Sequence, residues 1–335
     1  MFGRYQGGLV ALTVGFVIVA SAVRSDSLGD TGSISPLAAS QELKTSGEPF
    51  GIAVDAQSGR AYVTDLKTDT VFVFDLGSGA PLAYIPTGRQ PNHIVLSGAL
   101  AFVSNFSDAS ITLIDTSTNR ALKTLAVGGL GLAVNRATSR VYAAAGSRVS
   151  VLDGASGATV AALPIPAGAN IWGLAVDSAA NRIYATDIAA PRVLVYDGAS
   201  NALVGEIAID APARFGIAVG AAGRIFVASY TDQSPQLSVI DGPSRKVVAH
   251  VAVASFTAAL VVDETSGTVY ASSAVDRSVT AVSATLGGAP TKISLTQSPG
   301  GLAINPLTKE LIVVTPGGAA PPVRLNVDPT TVTTP

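Results

Sequence analysis

Apolar residues in this chain come in short bursts, each closed by a polar or turn-forming residue. Between residues 49 and 88 there are four of them: Gly51–Val54, Ala61–Thr64, Val71–Phe74 and Leu82–Ile85, with Asp, Ser, Gly and Thr in the breaks. Each burst is rich in Val, Ile, Phe or Tyr, and none carries the three-and-four spacing of a helix face, so each is predicted to be a strand. Four strands in sequence with short turns make an antiparallel meander. A meander buries only one face by itself, so it must stack on further sheets.

The rest of the chain supplies them. The stretch Gly51-Ile-Ala-Val54 returns as His93-Ile-Val-Leu96, Gly131-Leu-Ala-Val134, Gly173-Leu-Ala-Val176, Gly216-Ile-Ala-Val219, Ala259-Leu-Val-Val262 and Gly301-Leu-Ala-Ile304, in steps of 38 to 43 residues. The second strands keep phase with these anchors, and the third strands end on Asp75, Asp115, Asp153, Asp197 and Asp241. Seven copies at this period predict an all-β fold, a seven-bladed β-propeller of four-stranded antiparallel blades spanning residues 37–327. The last copy has only three strands, and residues 41–50 look like the tail of the first blade at 83–92. The reading that follows is a ring closed by an N-terminal strand that completes the last blade and hides its edge.

Composition narrows the function. Charged residues make up 13% of the chain and the net charge is −2, which gives no basic field for nucleic acid. No cysteine is present, so disulfides, thiolate metal sites and a cysteine nucleophile are excluded. Residues 1–22 combine Arg4, the uncharged run Leu9–Ala20 and the small-x-small pattern Ala20-Ser-Ala22, the pattern of a cleaved secretory signal peptide. Secretion or a periplasmic location is expected, with no membrane span after cleavage; if the segment stays uncleaved, it anchors the chain at the cell surface. Residues 23–36 read as a flexible leader and 328–335 as a disordered tail.

The second strands carry Tyr62-Val-Thr-Asp65, Phe102-Val-Ser-Asn105 and Tyr184-Ala-Thr-Asp187, and a proline precedes the inner strand at Pro49, Pro91 and Pro299. These motifs resemble the YVTN-repeat family of β-propellers. That resemblance covers about residues 37–327 and implies an exported binding or scaffold module; related propellers include quinoprotein-like and lactonase-like enzymes. No copy ends in Trp-Asp, so the WD40 class is not supported.

In a propeller the loops leading into the inner strands open on one face with the turns between second and third strands. At the lead-in positions stand Glu48-Pro-Phe50, Pro91-Asn-His93, Asn170-Ile-Trp172, Arg214-Phe215 and Phe256. Their convergence predicts a ligand site at the mouth of the central channel, with Trp172, Phe50, Phe215, His93 and Asp187 as its contacts. The competing reading has the same aromatics plug the channel or pack between blades. The partner expected there is a small molecule, peptide, glycan or protein, with no cofactor. Asp65, Asn105, Asp187 and Asp276 end second strands near the same face, and Glu48, Asn105 and Asp187 are loosely similar to the oxygen set of calcium-dependent lactonase propellers. That similarity implies Ca²⁺ in an alternative, metal-dependent lactonase or other hydrolase; carboxylates and amides at strand ends also serve as turn caps.

Other catalytic chemistry is thin. With only His93 and His250, a centre built on two or three histidines is nearly excluded. His93 could serve as a base for Ser104 or Ser107 of the same blade, but no Gly-x-Ser-x-Gly accompanies them. Gly128-Gly-Leu-Gly131 leads into a strand and offers no helix dipole to a phosphate. The recurrent third-strand aspartates serve the blade. A non-enzymatic binding module is therefore the preferred reading.

Overall fold

The computed structural model describes residues 15–17 and 47–325, apart from Phe215, 229–234, 284–285, 287, 316 and 320–322. The chain forms six four-stranded antiparallel sheets in sequence order, over residues 49–86, 91–125, 132–163, 171–208, 217–252 and 257–294. Each pairs only consecutive strands, as a meander must. A seventh sheet has three strands, Leu302–Ile304, Leu311–Val313 and Val323–Leu325. The innermost strand of each sheet packs on that of the next, and the seventh packs on both the sixth and the first. The chain is a β-propeller.

Seams between blades form the core. The second and third strands are buried almost throughout, whereas the outer strand Arg120–Leu125 is largely exposed and Lys246–Ala252 alternates. One apolar cluster fills each seam: between blades 3 and 4, for example, Tyr142, Val149 and Val151 meet Leu174, Ile183 and Leu194. Ile52, Val63, Phe72 and Phe74 of blade 1 meet Ala303, Ile312 and Val314 in the closing seam. Each fully buried large side chain contributes about 1.5–3 kcal/mol, so ordinary core packing closes the circle.

Two expectations are corrected here. Six blades, not seven, have four strands; the last sheet has three among the described residues. Closure by an N-terminal strand is not seen: Gly15–Val17 pairs with Gly317–Ala319 in a separate two-stranded sheet and does not join the seventh sheet. The segment expected to complete the last blade falls mostly on residues 37–46, outside the described residues. The physical reason closure does not require that strand lies at the inner seam, where Gly301 N–H donates to the Phe50 carbonyl at 2.8 Å.

Five of the inner seams fall into two kinds. In blade 1 the buried Thr64 hydroxyl accepts from Gly51 N–H at 2.8 Å and donates to the Asn92 carbonyl of blade 2 at 3.4 Å. Thr186 links Gly173 to the Arg214 carbonyl in the same way, and Ser272 links Ala259 to the Gly300 carbonyl. Blades 3 and 7 have Ala144 and Val314 at that position. There the glycine N–H reaches the next blade directly, Gly131 to Trp172 at 2.9 Å and Gly301 to Phe50. Both glycines are needed for this approach, because a Cβ on either would collide with the accepting carbonyl oxygen.

The third-strand aspartates hold turns. Asp75, Asp115, Asp153, Asp197 and Asp241 each accept a hydroxyl and at least one backbone N–H from the turn that follows. These turns lie on one face of the ring. The turns between second and third strands lie on the other, tied to the lead-in loops by Leu66 N–H to Glu48, Phe106 N–H to Gln90 and Ile188 N–H to Asn170.

Candidate functional site

On this upper face the side chains converge most around Trp172. Its indole N–H donates to Asn170 Oδ1 at 3.1 Å, and its own carbonyl receives Gly131 from blade 3. The Arg214 guanidinium of blade 5 lies over the indole, 5.2 Å from the ring centroid. Phe106, from the turn of blade 2, meets the indole at 6.2 Å between centroids with the rings inclined by 64°. Side chains from blades 2, 4 and 5 thus meet, Phe106 reaching Trp172 across blade 3, and Trp172 remains half-buried.

Blade 3 permits this because it is low. Its second-to-third-strand register ends at Ala144 opposite Val149, and Ala145 N–H closes on the Arg148 carbonyl, leaving a two-residue tip, 146–147. In blade 4 the pairing runs out to Asp187 opposite Arg192, with a four-residue tip, 188–191. The short tip folds over: Gly146 and Ile171 exchange backbone hydrogen bonds at 3.2 and 2.8 Å, setting the residue beside Trp172.

Phe106 is held out as a fixed feature. Its N–H and that of Ser107 bond the lead-in loop at Gln90 and Arg89, the Ser107 hydroxyl donates to Gln90 Oε1, and Asp108 takes both the backbone and the guanidinium of Arg89. At 39% exposure Phe106 is among the more exposed large apolar residues of the described chain. Nothing in its local sequence marks it, since Leu66 and Ile188 stand at the same place in blades 1 and 4. Its significance comes from the low neighbour beside it.

The other expected contacts are distributed as follows. Phe50 and His93 meet edge to face at 6.3 Å between centroids, one seam away from the Trp172 group. Desolvation pushes the His93 imidazole down to about 4, against the opposing effect of a hydrogen bond with the Leu130 backbone. His93 is therefore neutral at pH 7. Ser104 donates to Asn92 Oδ1 at 2.6 Å and Ser107 to Gln90, so neither hydroxyl is given to His93 as a nucleophile would be. Phe215 lies outside the described residues. Asp187 is fully buried; it accepts from the N–H groups of Asn170 and Ala189 and pairs with Arg192 at 2.9 Å.

Glu48, Asn105 and Asp187 belong to three different blades. Glu48 gives its N–H to Asp65, and Asn105 donates to Ser110 and Thr112 within its own blade. A cation at Asp187 would have to displace Arg192. No group of three or more His, Cys, Asp or Glu side chains among the described residues is placed to hold a metal ion. Asp65 has the same position in blade 1 as Asp187 in blade 4; one of its oxygens accepts three N–H groups while the other, buried, has no hydrogen-bond partner.

No protein-family model matches this chain, and no curated protein matches it. Among solved structures it is similar to Kuenenia stuttgartiensis hydrazine synthase, with a TM-score of 0.70 and 13% identity over 85% of this chain and 96% of that one. At that identity the likeness speaks for the propeller fold alone.

Proposed function

We propose that this chain is an exported propeller of the YVTN-repeat type that works as a binding or scaffold module. Its small molecule, peptide, glycan or protein partner sits at the upper mouth of the channel. The observation that carries this reading is the Phe106–Trp172–Arg214 group: three side chains from three blades, held by the backbone around them and left partly open to solvent. Aromatic anchors fixed in advance lose little entropy on binding, which is why they dominate ligand contacts. Export rests on the signal-like residues 1–22, and no cofactor is needed. The calcium-dependent or serine hydrolase alternative draws less support, because Asp187, Ser104 and Ser107 are already committed within the fold.

The test uses the single tryptophan, whose emission reports Trp172 alone. Sugars, short peptides and small acids are titrated into the protein while that emission is followed. A saturable change with at least one class is expected. Binding seen by calorimetry without any change in emission would move the site elsewhere and favour the aromatics as packing.

A further inference from the structure

Arg148 immediately precedes the third strand of blade 3, Val149–Asp153, at the register position that Arg192 holds in blade 4: each directly precedes the residue, Val149 or Val193, that pairs with an outer-strand Leu163 or Ile207. Arg192 is held from both sides. It pairs with Asp187 at 2.9 Å and with Glu206 at 3.0 Å, and its side chain is 24% exposed. The register puts Ala145 where Asp187 stands and Ala162 where Glu206 stands. Arg148 is exposed and makes no ion pair among the described residues.

The surroundings of Arg148 do not compensate it. Asp108 on the blade 2 side is occupied by Arg89, and Asp187 on the blade 4 side is buried with Arg192. Arg148 is two residues from Gly146, whose backbone bridges to Ile171 and whose α-carbon lies by Asn170, the residue that holds the indole. The low rim of blade 3 therefore carries an unpaired cation two residues from the backbone that bonds to Ile171, the neighbour of Trp172, and a second guanidinium, Arg214, lies on the indole itself. A guanidinium binds a carboxylate through two parallel N–H donors, and an aromatic wall binds the face of a ring.

We infer that the notch over blade 3 recognises a ring that carries a carboxylate, with Arg148 holding the anion and Trp172 and Phe106 the ring. This deepens the binding-module reading and rests on it. Two sources share the chemistry, an acidic saccharide and an aromatic acid.

Calorimetry with trigalacturonate and with 4-hydroxybenzoate, each beside its methyl ester, separates them. One acid is expected to bind at least tenfold more tightly than its ester, with affinity falling as salt rises. Arg148→Gln should weaken that acid at least fivefold without changing ester binding or the melting temperature. Ala162→Glu, which supplies the acid that blade 4 already has, should weaken it in the same direction. Ester and acid binding alike would overturn the anionic inference and leave the ligand site standing. Failure of both acids to bind would overturn the inference as well, while the broader panel followed by Trp172 emission judges the site on its own. Loss of affinity in Arg148→Gln accompanied by a lower melting temperature would count against recognition and assign Arg148 to the fold.

Discussion

Blades 3 and 4 are neighbours with one register and different chemistry. Blade 4 satisfies itself: Thr186 relays its seam, Asp187 caps its turn, and Arg192 is clamped between Asp187 and Glu206. Blade 3 has Ala144, Ala145 and Ala162 at those positions and keeps only the arginine. What blade 4 spends on its own stability, blade 3 leaves available. The lesson is that function in a repeat protein is read from the copy that departs from the others, because interactions present in most copies serve the repeat.

The largest effect should come from removing blade 4's central acid. Asp187→Ala strips a buried carboxylate from Arg192 and from two N–H donors and should cost about 3–5 kcal/mol in denaturant unfolding. Blade 3 tolerates alanine there because its tip is two residues shorter and bonds to Ile171 instead. A cost below about 1 kcal/mol would mean that Asp187 is not the cap described, and would return it to the ligand site.

Next in size is the seam. Thr186→Val leaves Gly173 N–H without its acceptor and should destabilise by about 1–3 kcal/mol. The matching change in blade 3, Ala144→Val, removes no hydrogen bond, so whatever it costs comes from crowding. Amide hydrogen exchange at Gly173 and Gly131 checks the difference: Gly173 should lose protection in Thr186→Val, and Gly131 should keep it in Ala144→Val.

The smallest effect sits on the lower face, where the two blades agree. Asp153 is held below the usual carboxylate range chiefly by the Ser156 hydroxyl, and Asp197 chiefly by the Ser200 N–H. Carboxyls depressed in the folded state add stability that is present above their ordinary value near 3.8 and is lost as pH falls through the lower folded value. Asp153→Asn and Asp197→Asn should therefore lower the melting temperature slightly and equally at pH 7, and the gap from wild type should close below about pH 4. Unequal effects would show that the blades differ on this face too.

These residues also mark how far the sequence could be read. The repeat anchors from Gly51 to Gly301 locate every blade, and the third-strand aspartates declare their role by recurring in five copies. The closing seam is not legible in that way, because Ile52 and Val314 meet only after the whole ring has formed. Trp172 stood out as a lone tryptophan, whereas Phe106 and Arg148 look ordinary until their neighbours are seen. Arg148 differs from Arg192 only by what surrounds it, and those partners lie on other strands. Asp187 shows the converse: an aspartate at a strand end reads the same whether it faces a cavity or, as here, is sealed beneath a turn.

On the proposed function, ligand recognition is concentrated at Trp172 and its contacts. This is tested most directly by calorimetric titration of Trp172→Ala with the tightest ligand found for wild type. Loss of a desolvated aromatic anchor should cost at least about 2 kcal/mol, roughly thirtyfold in affinity, with Phe106→Ala costing less and the melting temperature holding in both. Equal affinity of Trp172→Ala and wild type would contradict the account and leave the indole as a plug of the channel.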